Sequence, residues 1–378
     1  MISKIVFRIL FVICIAVTSS RIYAQQAPQP VFTIVNGLDG NSSGDQVNAS
    51  VSLPVLGFVT DGAGGLRPLI GIAGSASVGA PLNLGFEIVG AAIPPDHDYI
   101  LAMTPDGNWP ALLQVRGNTI IVQSNDSFFN NLEAQQDECI GLDSLERKHS
   151  GCTRRAPASV PRIDRIALSP TGSAAAFFSQ TQGRVYVYGN LAQSPVLLAT
   201  FELGRSSSVN TLAISDDGRT VLVGISDGDP SAVFLVTPQQ APRLIASLSH
   251  LAAIQFLRHS GDAIIADDIE NRIYELSDGQ VYSIAASEDG IAAPVGVAVS
   301  NDNRKVFVGN SQSSSVTTIG LDGTGITSTP CQCALTAFES TSADSVFRLT
   351  DFSGGPVLLF DGKAATPRML FVRAGAQF

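Results

Sequence analysis

Six polar turns recur along this chain, beginning at Pro94, Ser169, Ser215, Arg258, Ser300 and Ser340. Their steps of 75, 46, 43, 42 and 40 residues constrain the fold more than any other feature. Four steps share one period, and the long one equals a period plus about 33 residues, which predicts an insertion at about 125–161. Each period reads as four short strands. In the unit around Ser300 these are Val295–Val299, Lys305–Val308, Val316–Ile319 and a weaker run at Ile326–Ser328. Alternating or continuous apolar runs of this length, parted by Gly, Asn, Asp and Ser, are strand and turn chemistry. No unit sustains the 3.6-residue spacing of a helical repeat. Four strands in 40–46 residues specify an all-β chain, a β-propeller of four-stranded blades.

The blade number follows from counting outer hairpins. They fall at Val55–Ile72, Pro110–Val122, Val185–Phe201, Val233–Leu248, Arg272–Ile284, Val316–Ser328 and Pro356–Val372, which predicts seven blades. The first would draw its inner strands from Val31–Asn36 and Val47–Leu53, where the pattern is poorer, so six is the alternative. Charged residues make up 15% of the chain, below the average of roughly 25%. Blades packed face to face bury strands on both sides and account for that shortage.

The stretch Ser300–Leu321 resembles the YVTN-type repeat of surface-layer and lactonase-like seven-bladed propellers. The matching parts are the turn Ser300–Arg304, the strand end Val306-Phe307-Val308-Gly309-Asn310, the polar loop Ser311–Ser315 and the strand Val316–Leu321. The unit at Ser215–Val236 is a looser match, with Val221-Leu222-Val223-Gly224 in the same place. At the level of repeats the resemblance covers residues 90–375. It implies architecture, and the other units depart too far for any catalytic residue of a lactonase to carry over.

Residues 1–24 read as a secretory signal peptide: Lys4 and Arg8 around the apolar run Ile5–Val17, then Ile22-Tyr23-Ala24 as a small-residue cleavage point. The apolar run is too short to span a bilayer, which needs ~20 residues. The expected mature protein is then a single propeller domain over 25–378, periplasmic, extracellular or on the cell surface. The leader holds three of the 23 basic residues and none of the 33 acidic ones, leaving a mature net charge of −13. Such a chain is repelled by nucleic acid and by anionic lipid, and no later run is long enough to cross a membrane.

Propeller topology places the loops between second and third strands, and the blade-to-blade connections, on the face where ligands enter. Three successive units put acids there. They are Asp227 and Asp229, then Asp267, Asp268 and Glu270, then Glu288 and Asp289, with His250 opening the blade beside them. Hard cations such as calcium take several carboxylate and carbonyl oxygens from flexible loops, so calcium is the cation this rim would suit. Asp is equally an ordinary turn residue, and that plainer reading predicts no cofactor. His97 and His259 sit in turns on the opposite face and read as solvated.

The insertion projects over the ligand face and carries Cys139 and Cys152, while Cys331 and Cys333 lie in a later connection on the same side. Four cysteines in an exported chain suggest disulfides. Cys139–Cys152 would close a small loop. Cys331–Cys333 would be a strained bridge, and cross-pairing between the two sets is the alternative. Cys-x-Cys without a nearby His is a poor zinc site. No Gly-x-Ser-x-Gly element or paired histidines mark a reaction. The reading is an exported binding or protein-interaction module taking a protein or small molecule on the ligand face. The alternatives are a lactonase-like hydrolase using these carboxylates with His250, and a structural surface repeat.

Overall fold

The computed structural model describes residues 32–36, 54–106, 109–123, 161–203, 208–226, 230–323 and 325–374. Among them the strands form five separate blades and one seven-stranded sheet. The first blade is Gly90–Ala92, Tyr99–Met103, Ala111–Arg116 and Thr119–Gln123. The second runs from Arg165 to Glu202, the third from Val209 to Leu248, the fourth from Leu251 to Ala285 and the fifth from Pro294 to Pro330. Each is an antiparallel meander with its earliest strand innermost.

The remaining strands depart from the expected count of seven separate blades. Val55–Thr60, Leu66–Ile70 and Ser77–Val78 run outward, and Arg368–Ala374, Val357–Asp361, Val346–Arg348 and Glu339–Ser340 return inward, all in one continuous sheet. The link is a parallel pairing of Arg373 with Ser77 and Ala374 with Val78. The sheet curls because its halves pack on each other, Leu56, Val59 and Leu69 against Val346, Val357 and Leu359. The expected first blade is corrected in a second way. Val55–Ile72 is an inner hairpin, and Thr33–Asn36 joins the first blade as a fifth strand parallel to Thr119–Val122. Residues 47–53 lie outside the described residues, as do the signal segment and nearly all of the insertion.

Alternate side chains of one strand fill different inter-blade cores. In the second blade Phe177 packs with Trp109, Tyr186 and Tyr188 toward the first blade. Its neighbour Phe178 packs with Val209, Ile214 and Val221 toward the third. In the fifth blade Val306 and Val308 face the fourth, and Phe307 faces Phe347 and Phe360 of the closing sheet. Two-sided burial of this kind leaves few positions for charge. Such clusters follow one another round the ring and close where Phe58 and Leu66 meet Ile100 and Leu113.

The polar turns that reveal the repeat also tie the ring together. Asp216 Oδ1 accepts from the amide and hydroxyl of Thr171 at 2.8 and 2.6 Å, and Oδ2 accepts from His259 N at 2.7 Å. Burial alone would raise its carboxyl, but these bonds outweigh burial and hold it below the ordinary value. Asn303 exchanges two bonds with the Arg258 backbone, and Ser342 N donates to Leu56 O at 3.0 Å across the closure. Gly172 stands at φ +77, where a Cβ would lie 2.4 Å from Pro94 of the first blade. Only glycine allows that approach.

Candidate functional site

In the fourth blade the second strand ends in Asp267, and Asp268-Ile269-Glu270-Asn271 turns into the third. Asn271 takes the left-handed conformation that Asn tolerates, at φ +52. The turn lies beside Ser249 and His250, which precede the first strand. Asp267 is fully buried and spent on backbone. Its Oδ2 accepts from Ser249 N at 2.8 Å, and its Oδ1 from the amides of His250, Ile269 and Glu270 at 3.3, 3.1 and 2.9 Å. Asp268 Oδ1 stands 2.6 Å from His250 Nδ1, and Ser249 Oγ donates to Glu270 Oε1 at 2.8 Å.

Four expected residues therefore meet at one corner: Asp267, Asp268, Glu270 and His250. Asp267 has no free oxygen for a ligand. Asp227 and Asp229 lie outside the described residues. Asp289 of the next connection caps a short helix over Ser287–Asp289, accepting from Ala286 N at 3.0 Å. Among the described residues no group of three His, Cys, Asp or Glu side chains is placed to hold a metal ion. Two apolar residues of these segments are exposed, Ile269 in the turn at 65% and Val295 in the first strand of the fifth blade at 43%. The turn is tied to the start of that strand by Ala293 N donating to Asn271 Oδ1 at 2.6 Å.

Cys331 and Cys333 are bonded to each other, with Cα atoms 5.2 Å apart. Gln332 between them adopts φ +53, which turns the chain back on itself and lets the near pair meet. Cross-pairing to Cys139 and Cys152 is thereby excluded for this pair. Those two cysteines lie outside the described residues.

The axis of the ring holds groups that sequence reasoning missed. A cavity of about 310 Å3 lies between the innermost strands, walled by Phe58, Leu69, Ile93, Val297 and Phe338, with Gln255 and Arg348 as polar members. The Arg348 side chain is 7% exposed and is bracketed by Glu339 Oε2 at 2.5 Å and Asp351 Oδ1 at 2.9 Å. Burial alone would lower its pKa, but the two carboxylates outweigh burial and raise it. His97, expected in solvent, is 6% exposed instead. Phe58 and Gly57 of the closing sheet cover it, and its Nδ1 has no hydrogen-bond partner among the described residues. Burial pushes its pKa down to about 4. No local signal marks either residue, because their surroundings come from chain segments far away in sequence.

With blades, ring core and axial cavity in place, the architecture is settled. The chain is a β-propeller. No protein-family model matches the sequence, and no curated protein matches it. Solved structures resemble the fold. A functionally unknown protein from Desulfotomaculum acetoxidans aligns with a TM-score of 0.53 at 13% identity, over 85% of this chain and 100% of that one. The virginiamycin B lyase of Staphylococcus aureus aligns at 0.48 and 10% identity, over 76% and 84%. A chain of a nidogen/laminin complex aligns at 0.42 and 12%, over 73% and 93%. At such identities the likeness concerns fold alone. No helix of the described residues is long and apolar enough to cross a membrane.

Proposed function

We propose that this propeller is an exported binding module that docks a protein partner on the ligand face of its fourth and fifth blades. One observation carries the reading: Ile269 is exposed in the turn that holds the His250–Asp268 pair, and that turn is bonded through Asn271 to Ala293, just before the exposed Val295, while the one buried carboxylate there is consumed by amides. An apolar pair rimmed by charge suits a partner offering an apolar group beside a basic one. Descent from YVTN-type surface repeats is part of the same proposal, and so is the extracytoplasmic location. The proposal includes no resident cofactor, calcium among them. The test is partner capture from the native cell envelope or medium, with Ile269→Asp and Val295→Asp as a double variant. Capture of a discrete partner by the parent chain and its loss in the variant supports the reading. Equal capture by both overturns it.

A second reading rests on the 2.6 Å His250–Asp268 contact, which has the form of a base and its orienting carboxylate. Its reaction would be hydrolysis of a lactone by activated water. Turnover of any member of a lactone panel that disappears in His250→Ala would favour this reading over the first.

A further inference from the structure

We propose that the opposite mouth of the axial channel binds a zwitterionic amino acid with an apolar side chain. This mouth is formed by the polar turns, and it joins the 310 Å3 cavity through shared walls at Pro95, Pro170, Gln255 and Ala298. Two charged residues line it and form no ion pair among the described residues. Arg258 is half-buried, and its backbone alone is engaged, with Asn303. Its guanidinium forms no ion pair among the described residues, although Asp96 and Asp344 line the same recess. Asp96 is likewise unpaired among the described residues, whereas Asp344 is taken by Lys363 at 3.3 Å. One recess thus offers one free cation and one free anion that do not neutralise each other.

A ligand that answers both carries a carboxylate and an ammonium. The guanidinium presents a planar fork that a carboxylate fits in a bidentate manner. The exposed Asp96 carboxylate accepts from an ammonium. Beyond the charged rim the wall is mixed, with Ile93, Phe58 and Val297 beside Ser340 and Thr341, and the cavity has room for an aliphatic side chain against the apolar part. Gln255 lines both zones, and its amide would meet the ligand at their boundary.

The experiment titrates L-leucine into the full chain by calorimetry, beside two half-molecules, 4-methylpentanoate and isopentylamine. The expected order is leucine binding at least about tenfold more tightly than either, since each lost charge-assisted bond costs about a factor of ten or more. Arg258→Gln should bring leucine down to the affinity of the amine, and Asp96→Asn down to that of the acid. Neither change removes a bond of the turn girdle, and unchanged melting temperatures verify that. Absence of leucine binding at millimolar concentration overturns the proposal. Binding of 4-methylpentanoate as tight as that of leucine also overturns it and leaves a plain anion site. The comparison of the three probes on the parent chain decides the matter even if a variant folds poorly.

Discussion

Asp267 and Asn310 hold the same place in consecutive blades. Each ends the second strand, and each accepts the amide hydrogen of the residue two positions before its own blade begins, Ser249 N at 2.8 Å and Ala292 N at 3.0 Å. The acid in the fourth blade and the amide in the fifth are thus one clamp repeated in two blades. Replacing Asp267 by Ala would leave four amides without an acceptor and should cost about 3 kcal/mol in urea unfolding. Asp267→Asn, which copies the neighbouring blade, should cost about 1 kcal/mol. Millimolar calcium should raise the melting temperature no more than magnesium does.

His97 sets a pH dependence. Its folded pKa of about 4 lies below the unfolded value of 6.5, so the unfolded chain binds the proton first as pH falls. The stability is complete above pH 6.5 and is lost as pH drops toward 4, by about 3 kcal/mol. His97→Leu should flatten that part of a stability-versus-pH curve measured by chemical unfolding, leaving the slope from carboxylates such as Asp216.

The ring closure predicts a truncation effect. Ending the chain after Pro367 removes Arg368–Ala374, which pairs with Val357–Asp361 on one side and Ser77–Val78 on the other. The core under Val357 and Leu359 loses its cover, and Leu56 and Val59 lose their partner sheet. Calorimetry should show the single cooperative transition replaced by a broad one at lower temperature.

Export is tested by mass. Envelope or medium fractions should contain a chain beginning at Gln25. A chain retaining Met1 there would remove the extracytoplasmic part of the proposal.

The parts legible in sequence were those whose cause is local. The turn at Ser300 reads as a turn because Ser300 Oγ bonds Asp302 and the Lys305 amide within five residues. Phe177 and Phe178 announce two-sided burial by their adjacency alone. What stayed hidden depends on distant partners. Thr33–Asn36 pairs in parallel with residues 86 positions later, and no local pattern distinguishes it from an inner strand. His97 has the look of a turn residue, and it is buried by Phe58, which belongs to another sheet. The acids of the ligand face were visible, but Asp267 and Asp268 are adjacent and alike in sequence while one is buried on amides and the other meets His250. Strand direction separates their roles.

The central claim is that the corner around Ile269 recognises a partner, and site-specific photocrosslinking in the native cell tests it most directly. A photoreactive residue at position 269 should yield one discrete crosslinked species, and the same group at Leu198, also solvent-facing at 50% on an outer strand, should yield none. Crosslinking at 198 as strong as at 269, or none at 269, would contradict the account.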